Sequence, residues 1–156
     1  LRSMMQAHRQ LGAAAIVAVE KVPPEETFRY GIVSIDGAVP PPGEPVAMTG
    51  IVEKPAAGTA PTNLAVAARY VFSPVIFEAL NRTLPDKRGE IQLTDAIRLL
   101  IRMQQPVYAW LLEPDQRRYD VGNFESYFHT FIDFALADER YGYMVRKYIK
   151  AKAYEL

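Results

Sequence analysis

The 156-residue chain contains no cysteine, which excludes disulfides and thiolate metal sites. Its two histidines, His8 and His129, fall in separate helical segments, with no spacing that suggests a shared zinc site. There is no G-x-S-x-G elbow and no Walker loop, so the sequence signatures of an α/β-hydrolase nucleophile and of a P-loop are both missing. Neither sign of charge dominates: 18 lysines and arginines face 18 acidic residues. A balanced chain has no global basic field to attract nucleic acid or an anionic membrane. Arg117 and Arg118 beside Tyr119 are two charges rather than a patch. The apolar runs stay far below the roughly 18 residues of a spanning helix. We therefore expect no nucleic-acid and no membrane partner, and the lack of cysteine suits a cytoplasmic protein.

What is present reads as an α/β chain of one-domain length. Residues 1–11 read as the second part of a helix closed by Gly12, a usual residue just past a helix end. The chain does not start with methionine and has no signal-peptide pattern, which leads us to expect a piece of something longer. Residues 13–20 (Ala-Ala-Ala-Ile-Val-Ala-Val-Glu) form a continuous apolar run, the pattern of a strand covered on both faces. Further strands are expected at 28–35, 46–54, 62–72 and 107–112. Helices are expected from Ser73 and Pro74 to about 81, over 91–103 with Thr94 and Asp95 near its cap, from an Asn123 cap over 124–136, and over 138–152. Small residues in the fourth strand, Ala65, Ala67 and Ala68, suggest a closely packed neighbour. Tyr141, Met144, Val145, Tyr148 and Ile149 form one helical stripe, either core packing or a subunit contact.

The stretch with most chemical promise is Met48-Thr49-Gly50-Ile51-Val52-Glu53-Lys54-Pro55. Pro55 cannot continue a central strand, because it has no N–H for the ladder. An acid and a base therefore stand side by side where a strand stops. In open α/β sheets ligands bind outside the carboxyl ends of strands. Glu53 can accept hydrogen bonds from sugar hydroxyls, and Lys54 can hold a phosphate as a point charge. The bland use of such a pair is solvated surface. Strand neighbours also point to opposite faces, so both can serve one ligand only if the strand twists or breaks there. Gly31, inside the second strand, marks either a bulge or a close approach of ligand to backbone. Asp120, just before Gly122, can serve as a magnesium ligand or simply as a turn-forming aspartate.

Several pieces, in one order over nearly the whole chain, belong together. They are Tyr30-Gly31-Ile32-Val33, Val52-Glu53-Lys54-Pro55, Pro61-Thr62-Asn63-Leu64-Ala65, Arg69-Tyr70-Val71-Phe72, Gly89-Glu90-Ile91-Gln92-Leu93-Thr94-Asp95-Ala96-Ile97 and Tyr119-Asp120-Val121-Gly122-Asn123. With them the chain resembles the C-terminal half of the bacterial UTP–glucose-1-phosphate uridylyltransferases, members of the sugar nucleotidyltransferases. The resemblance implies a Rossmann-like mixed sheet flanked by helices. Residues 1–156 would be the sugar-phosphate-binding part of a single domain, with C-terminal helices from about 123. It implies the reaction of UTP with glucose 1-phosphate to UDP-glucose and pyrophosphate, with Mg²⁺, in a protein that is a homo-oligomer when intact.

Carried over by motif, Gly31 approaches the sugar through its backbone and Glu53 accepts from glucose hydroxyls. Lys54 binds the sugar phosphate, and Asp120 is one of two carboxylates on Mg²⁺. The family's G-x-G-T-R triphosphate loop and its earlier metal-binding aspartate are not in this sequence, so the chain is expected to be inactive alone. Ala68 stands where glycine is frequent, and Phe124 where many members have lysine. A non-catalytic sugar-phosphate-binding or assembly module, or a sister enzyme such as a thymidylyltransferase, is the alternative.

Overall fold

The apolar run after Gly12 becomes β1 (Ala15–Lys21), and its first five residues are buried. Strand side chains alternate between faces, and here both faces are covered. Ala15, Val17 and Val19 join one core cluster, while Ile16 and Ala18 join another on the opposite side. The computed structural model describes residues 1–116, 118, 119 and 121–154. These fall into two compact units, Leu1–Gln116 and Arg117–Leu156.

In the first unit β1 pairs antiparallel with β4 (Leu64–Phe72) and parallel with β5 (Val107–Leu111). β4 meets β2 (Gly31–Ile35) at Ile32 and Ala65, and β2 pairs antiparallel with β3 (Pro45–Glu53). The start of β3 pairs with β5, Val46 opposite Ala109, so the order β1-β4-β2-β3-β5 closes on itself. The larger cluster is covered by α2 (Val75–Arg82), through Ile76 and Ala79, and by α3 (Leu93–Arg102), through Ala96, Ile97 and Leu100. The opposite cluster is covered by α1 (Arg2–Gln10), whose Met4 and Ala7, one turn apart, meet Ile16 and Ala67. Of the small residues of β4, Ala67 accommodates that contact, while Ala65 packs with Val22 and Ile32 and Ala68 is exposed. Gly12, at φ +57, takes the left-handed step past α1, and the next amide, Ala13 N–H, donates to His8 O at 3.0 Å.

Three local expectations change. The second strand begins at Gly31 rather than residue 28, because Pro24–Arg29 is a 3-10 turn. Pro23 and Pro24 preset its φ, and Thr27 Oγ1 donates back to Pro24 O at 2.8 Å. Ser73 does not cap α2 with its hydroxyl; its carbonyl accepts from Ile76 N–H at 3.2 Å instead. Nor do Thr94 and Asp95 cap α3, which starts after Gln92 with no side-chain cap and uses both side chains elsewhere.

β4 is not regular. From the Val17–Tyr70 pair to the Val19–Val66 pair, β1 advances two residues and β4 four. Ala68 sits in this bulge at φ +51, a left-handed conformation suited to glycine. The Thr62-Asn63 pair anchors the entry to β4. Thr62 Oγ1 donates to Val33 O at 2.6 Å, and Asn63 Nδ2 donates to Val22 O at 3.2 Å.

The second unit contains α4 (Phe124–Ala137) and α5 (Gly142–Ala153). Asn123 caps α4 as its residue type suggests, its Oδ1 accepting from Ser126 N–H at 2.9 Å. Asp138 Oδ1 accepts from the amides of Arg140 and Tyr141 and shapes the turn between the helices. A side chain at Gly142 would put its Cβ 2.6 Å from Leu136 O, so only glycine fits that turn. Of the expected α5 stripe, Tyr141, Met144, Tyr148 and Ile149 are exposed, so among the described residues of this unit they form no core. Among the described residues, no helix is long and apolar enough to cross a membrane.

Candidate functional site

β3 stops at Glu53, which lies opposite Gly31 across the β2–β3 ladder. The next residue, Lys54, has φ +43. A side chain in that region costs about 1–2 kcal/mol, and the residue before a proline is normally pushed towards the extended region as well. Lys54 stays there because its surroundings enforce it. Its N–H donates to Tyr30 O at 3.0 Å, and Pro55 after it is buried. The step ends the strand alternation that would send Glu53 and Lys54 to opposite faces. Both side chains are exposed. Enforced strain of this kind gathers at functional sites.

The Glu53 carboxylate is held from a second element. Thr94, in the first turn of α3, donates its hydroxyl to Glu53 Oε2 at 2.7 Å. α3 in turn is fixed to the same strand. Arg98 Nε donates to Ile51 O at 3.0 Å, and its guanidinium is steadied by Asp95 Oδ1. Gly31 is not the bulge, since the β2–β3 irregularity lies between Ser34 and Ile35; what lies close to it is the chain's own Glu53 and Val66 side chains. A Cβ at Gly31 would sit 3.1 Å from Glu53 Oε2 and 3.4 Å from Val66 Cγ2. Tyr70 of β4 completes the group. Its ring stacks on Phe72 at 5.4 Å, and its phenol is pushed up by burial and, secondarily, by the negative charge of Glu53.

The structure thus brings Gly31, Glu53 and Lys54 together. Asp120 lies outside the described residues. Among the described residues, no group of three or more His, Asp or Glu side chains could hold a metal ion. The chain's described part therefore builds no magnesium cage of its own.

Thr94 and Tyr70 were not singled out by sequence reasoning as neighbours of Glu53. The sequence pattern assigns Thr94 to the cap of α3, a role the structure does not give it, so nothing local pointed to its bond with Glu53. Beside α3, Asp86 orders the loop before the helix. Its carboxylate accepts from Arg88 N–H at 2.8 Å, Glu90 N–H at 3.0 Å and Gln92 Nε2 at 3.0 Å. The Glu90 amide, then the Arg88 amide, then the Gln92 side chain hold that carboxyl below its ordinary value.

Sheet, helices and strand-end cluster define a class first: a mixed α/β protein in which polar residues, with a left-handed Lys54 among them, gather where β3 ends. The chain belongs to the nucleotidyl transferase family, whose model matches residues 1–135. It is 41% identical over 139 residues to the UTP–glucose-1-phosphate uridylyltransferase of Bacillus subtilis (strain 168), covering 89% of this chain and 45% of that protein. It is 39% identical over 151 residues to uridylyltransferase 1 of Staphylococcus saprophyticus, covering 97% of this chain and 50% of that protein.

The fold is similar to that of UTP-bound UGPase from Acinetobacter baumannii, with a TM-score of 0.81 and 35% identity over 94% of this chain and 48% of that one. A UDP-glucose pyrophosphorylase complexed with UDP-glucose gives a TM-score of 0.75 and 32% identity, over 88% of this chain and 49% of that one. The chain spans about half the length of the relatives it matches.

Proposed function

We propose that this chain supplies the glucose 1-phosphate side of a UTP–glucose-1-phosphate uridylyltransferase. In the whole protein a phosphate oxygen of glucose 1-phosphate attacks the α-phosphorus of UTP. The bond from that phosphorus to the β-phosphate oxygen breaks, and pyrophosphate leaves. The work of such a site is positioning and charge neutralisation rather than covalent chemistry. Glu53 accepts from sugar hydroxyls, Lys54 neutralises the sugar phosphate, and Gly31 leaves its backbone open to the sugar. Asp120 would be this chain's ligand for Mg²⁺, which would shield phosphate charge. One carboxylate suffices here if substrate phosphates and a carboxylate outside this sequence complete the shell. Residues 1–156 act as one sugar-phosphate part of a cytoplasmic protein that is a homo-oligomer when intact.

The observation that supports this most is the enforced left-handed step at Lys54, directly after Glu53 and beside Gly31. A solvated surface pair would have no need of it. The test is UDP-glucose formation by the protein that carries this chain. Turnover with UTP and glucose 1-phosphate, far above that with dTTP, is expected. Binding of glucose 1-phosphate without turnover would make the chain a sugar-phosphate-binding module instead. Preference for dTTP would make it a thymidylyltransferase.

A further inference from the structure

A helical threonine commonly gives its hydroxyl to the carbonyl one turn back. Thr83, at the C-terminal end of α2, donates to Ala79 O at 2.8 Å, and Thr130, within α4, to Ser126 O at 2.7 Å. Thr94 does not. Its hydroxyl crosses to another element and donates to Glu53 Oε2, 41 residues away. The element that delivers it is rigidly seated, by buried Ala96, Ile97 and Leu100 and by the Arg98 contact with Ile51 O. A carboxylate has room for about four hydrogen bonds on its two oxygens. Thr94 engages Oε2, and Oε1 accepts no hydrogen bond from the described residues. On the far side, a Cβ at Gly31 would meet the same Oε2, so the carboxylate is bracketed by the β2 backbone and α3.

We propose that Thr94 is a positioning residue for acceptor-sugar recognition, fixing the Glu53 carboxylate by one oxygen so that the other is presented to a sugar hydroxyl. This rests on the reading of Glu53 as the hydroxyl acceptor. Thr94 acts through Glu53 and is not itself a ligand contact. An unheld glutamate has to be ordered when the sugar arrives, and that ordering weakens binding. The hydroxyl removes the cost in advance, and it does so for the sugar while leaving the phosphate contact at Lys54 untouched.

The experiment is calorimetric titration of the protein that carries this chain with two probes, glucose 1-phosphate and inorganic phosphate. Thr94→Val removes the hydroxyl at nearly constant shape. It is expected to weaken glucose 1-phosphate binding by about 2- to 12-fold, the range of one hydrogen bond. Inorganic phosphate binding should stay at the parental level, and Thr94→Ser should restore the sugar phosphate. In a Glu53→Gln background the valine substitution should add little. Parental affinity in Thr94→Val alongside weakened binding in Glu53→Gln would overturn the positioning role and leave the Glu53 assignment standing. Full additivity of the two substitutions would also overturn it. Parental affinity in Glu53→Gln itself would remove the site reading, and the inference with it.

Discussion

Gly31→Ala probes the site with a single methyl group. The added Cβ would lie 3.1 Å from Glu53 Oε2 and 3.4 Å from Val66 Cγ2. Contact with Val66 is ordinary van der Waals packing; contact with the carboxylate is too tight to keep. The exposed Glu53 side chain yields, and in moving it lengthens its 2.7 Å bond to Thr94. Two stability effects then oppose each other. Replacing glycine in a strand gains about 0.5–1 kcal/mol. Losing one exposed hydrogen bond costs about 0.5–1.5 kcal/mol. Urea unfolding should therefore show a change within about 1 kcal/mol of zero.

Ligand binding has no such compensation. A hydrogen bond to a charged group is worth about 1.5–3 kcal/mol, and a shift of a few tenths of an ångström forfeits part of it, so Gly31→Ala should weaken glucose 1-phosphate binding by up to about 10-fold. Calorimetry of Gly31→Ala in parental and Glu53→Gln backgrounds separates the routes. The methyl should matter in the first and hardly at all in the second. Unchanged affinity in the parental background would refute the reasoning, as would an equal loss in both.

Three further outcomes are expected. Lys54→Ala should weaken glucose 1-phosphate binding about 10- to 150-fold by calorimetry, whereas Lys54→Gly should show the same loss with a gain of up to about 1 kcal/mol in urea unfolding, because glycine relieves the φ +43 strain. Ala68→Gly, at φ +51 in the β4 bulge, should stabilise the protein by about 0.5–1 kcal/mol, since the relief exceeds the added freedom of the unfolded chain; a destabilised variant would count against the bulge geometry. Asp86 has its folded-state pKa lowered, so its hydrogen bonds support the loop before α3 above its ordinary value of 3.8 and are lost as pH falls through the lower folded value; amide exchange at Arg88 and Glu90 should rise over that acid range in the parent, and Asp86→Asn should remove this dependence.

Much of the fold was legible because its signals are local. The unbroken apolar run Ile16-Val17-Ala18-Val19 announces a strand covered on both faces, and it is buried on both. Gly12 ends a helix and Asn123 begins one through bonds that span only a few residues. The Glu53-Lys54-Pro55 stop was legible for the same reason. Closure of the sheet was not, because the pairing of Val46 with Ala109 depends on how distant strands register. The Thr94–Glu53 bond lies beyond local reading too. Thr94 sits where a cap is expected, and only the seating of α3 by Arg98 on Ile51 O turns its hydroxyl towards the strand end. The departure at Ala68 gains its physical meaning from the bulge. Glycine is suited to that position because the backbone there is left-handed, and alanine accepts the strain.

The most direct measurement of the central claim is an amide and methyl NMR titration of the protein that carries this chain with glucose 1-phosphate. The account predicts saturable shifts concentrated at Gly31, Glu53, Lys54 and Thr94, lost in Lys54→Ala, and much smaller shifts with glucose alone. Saturable binding that leaves these four residues unmoved, or no binding at all, would contradict it.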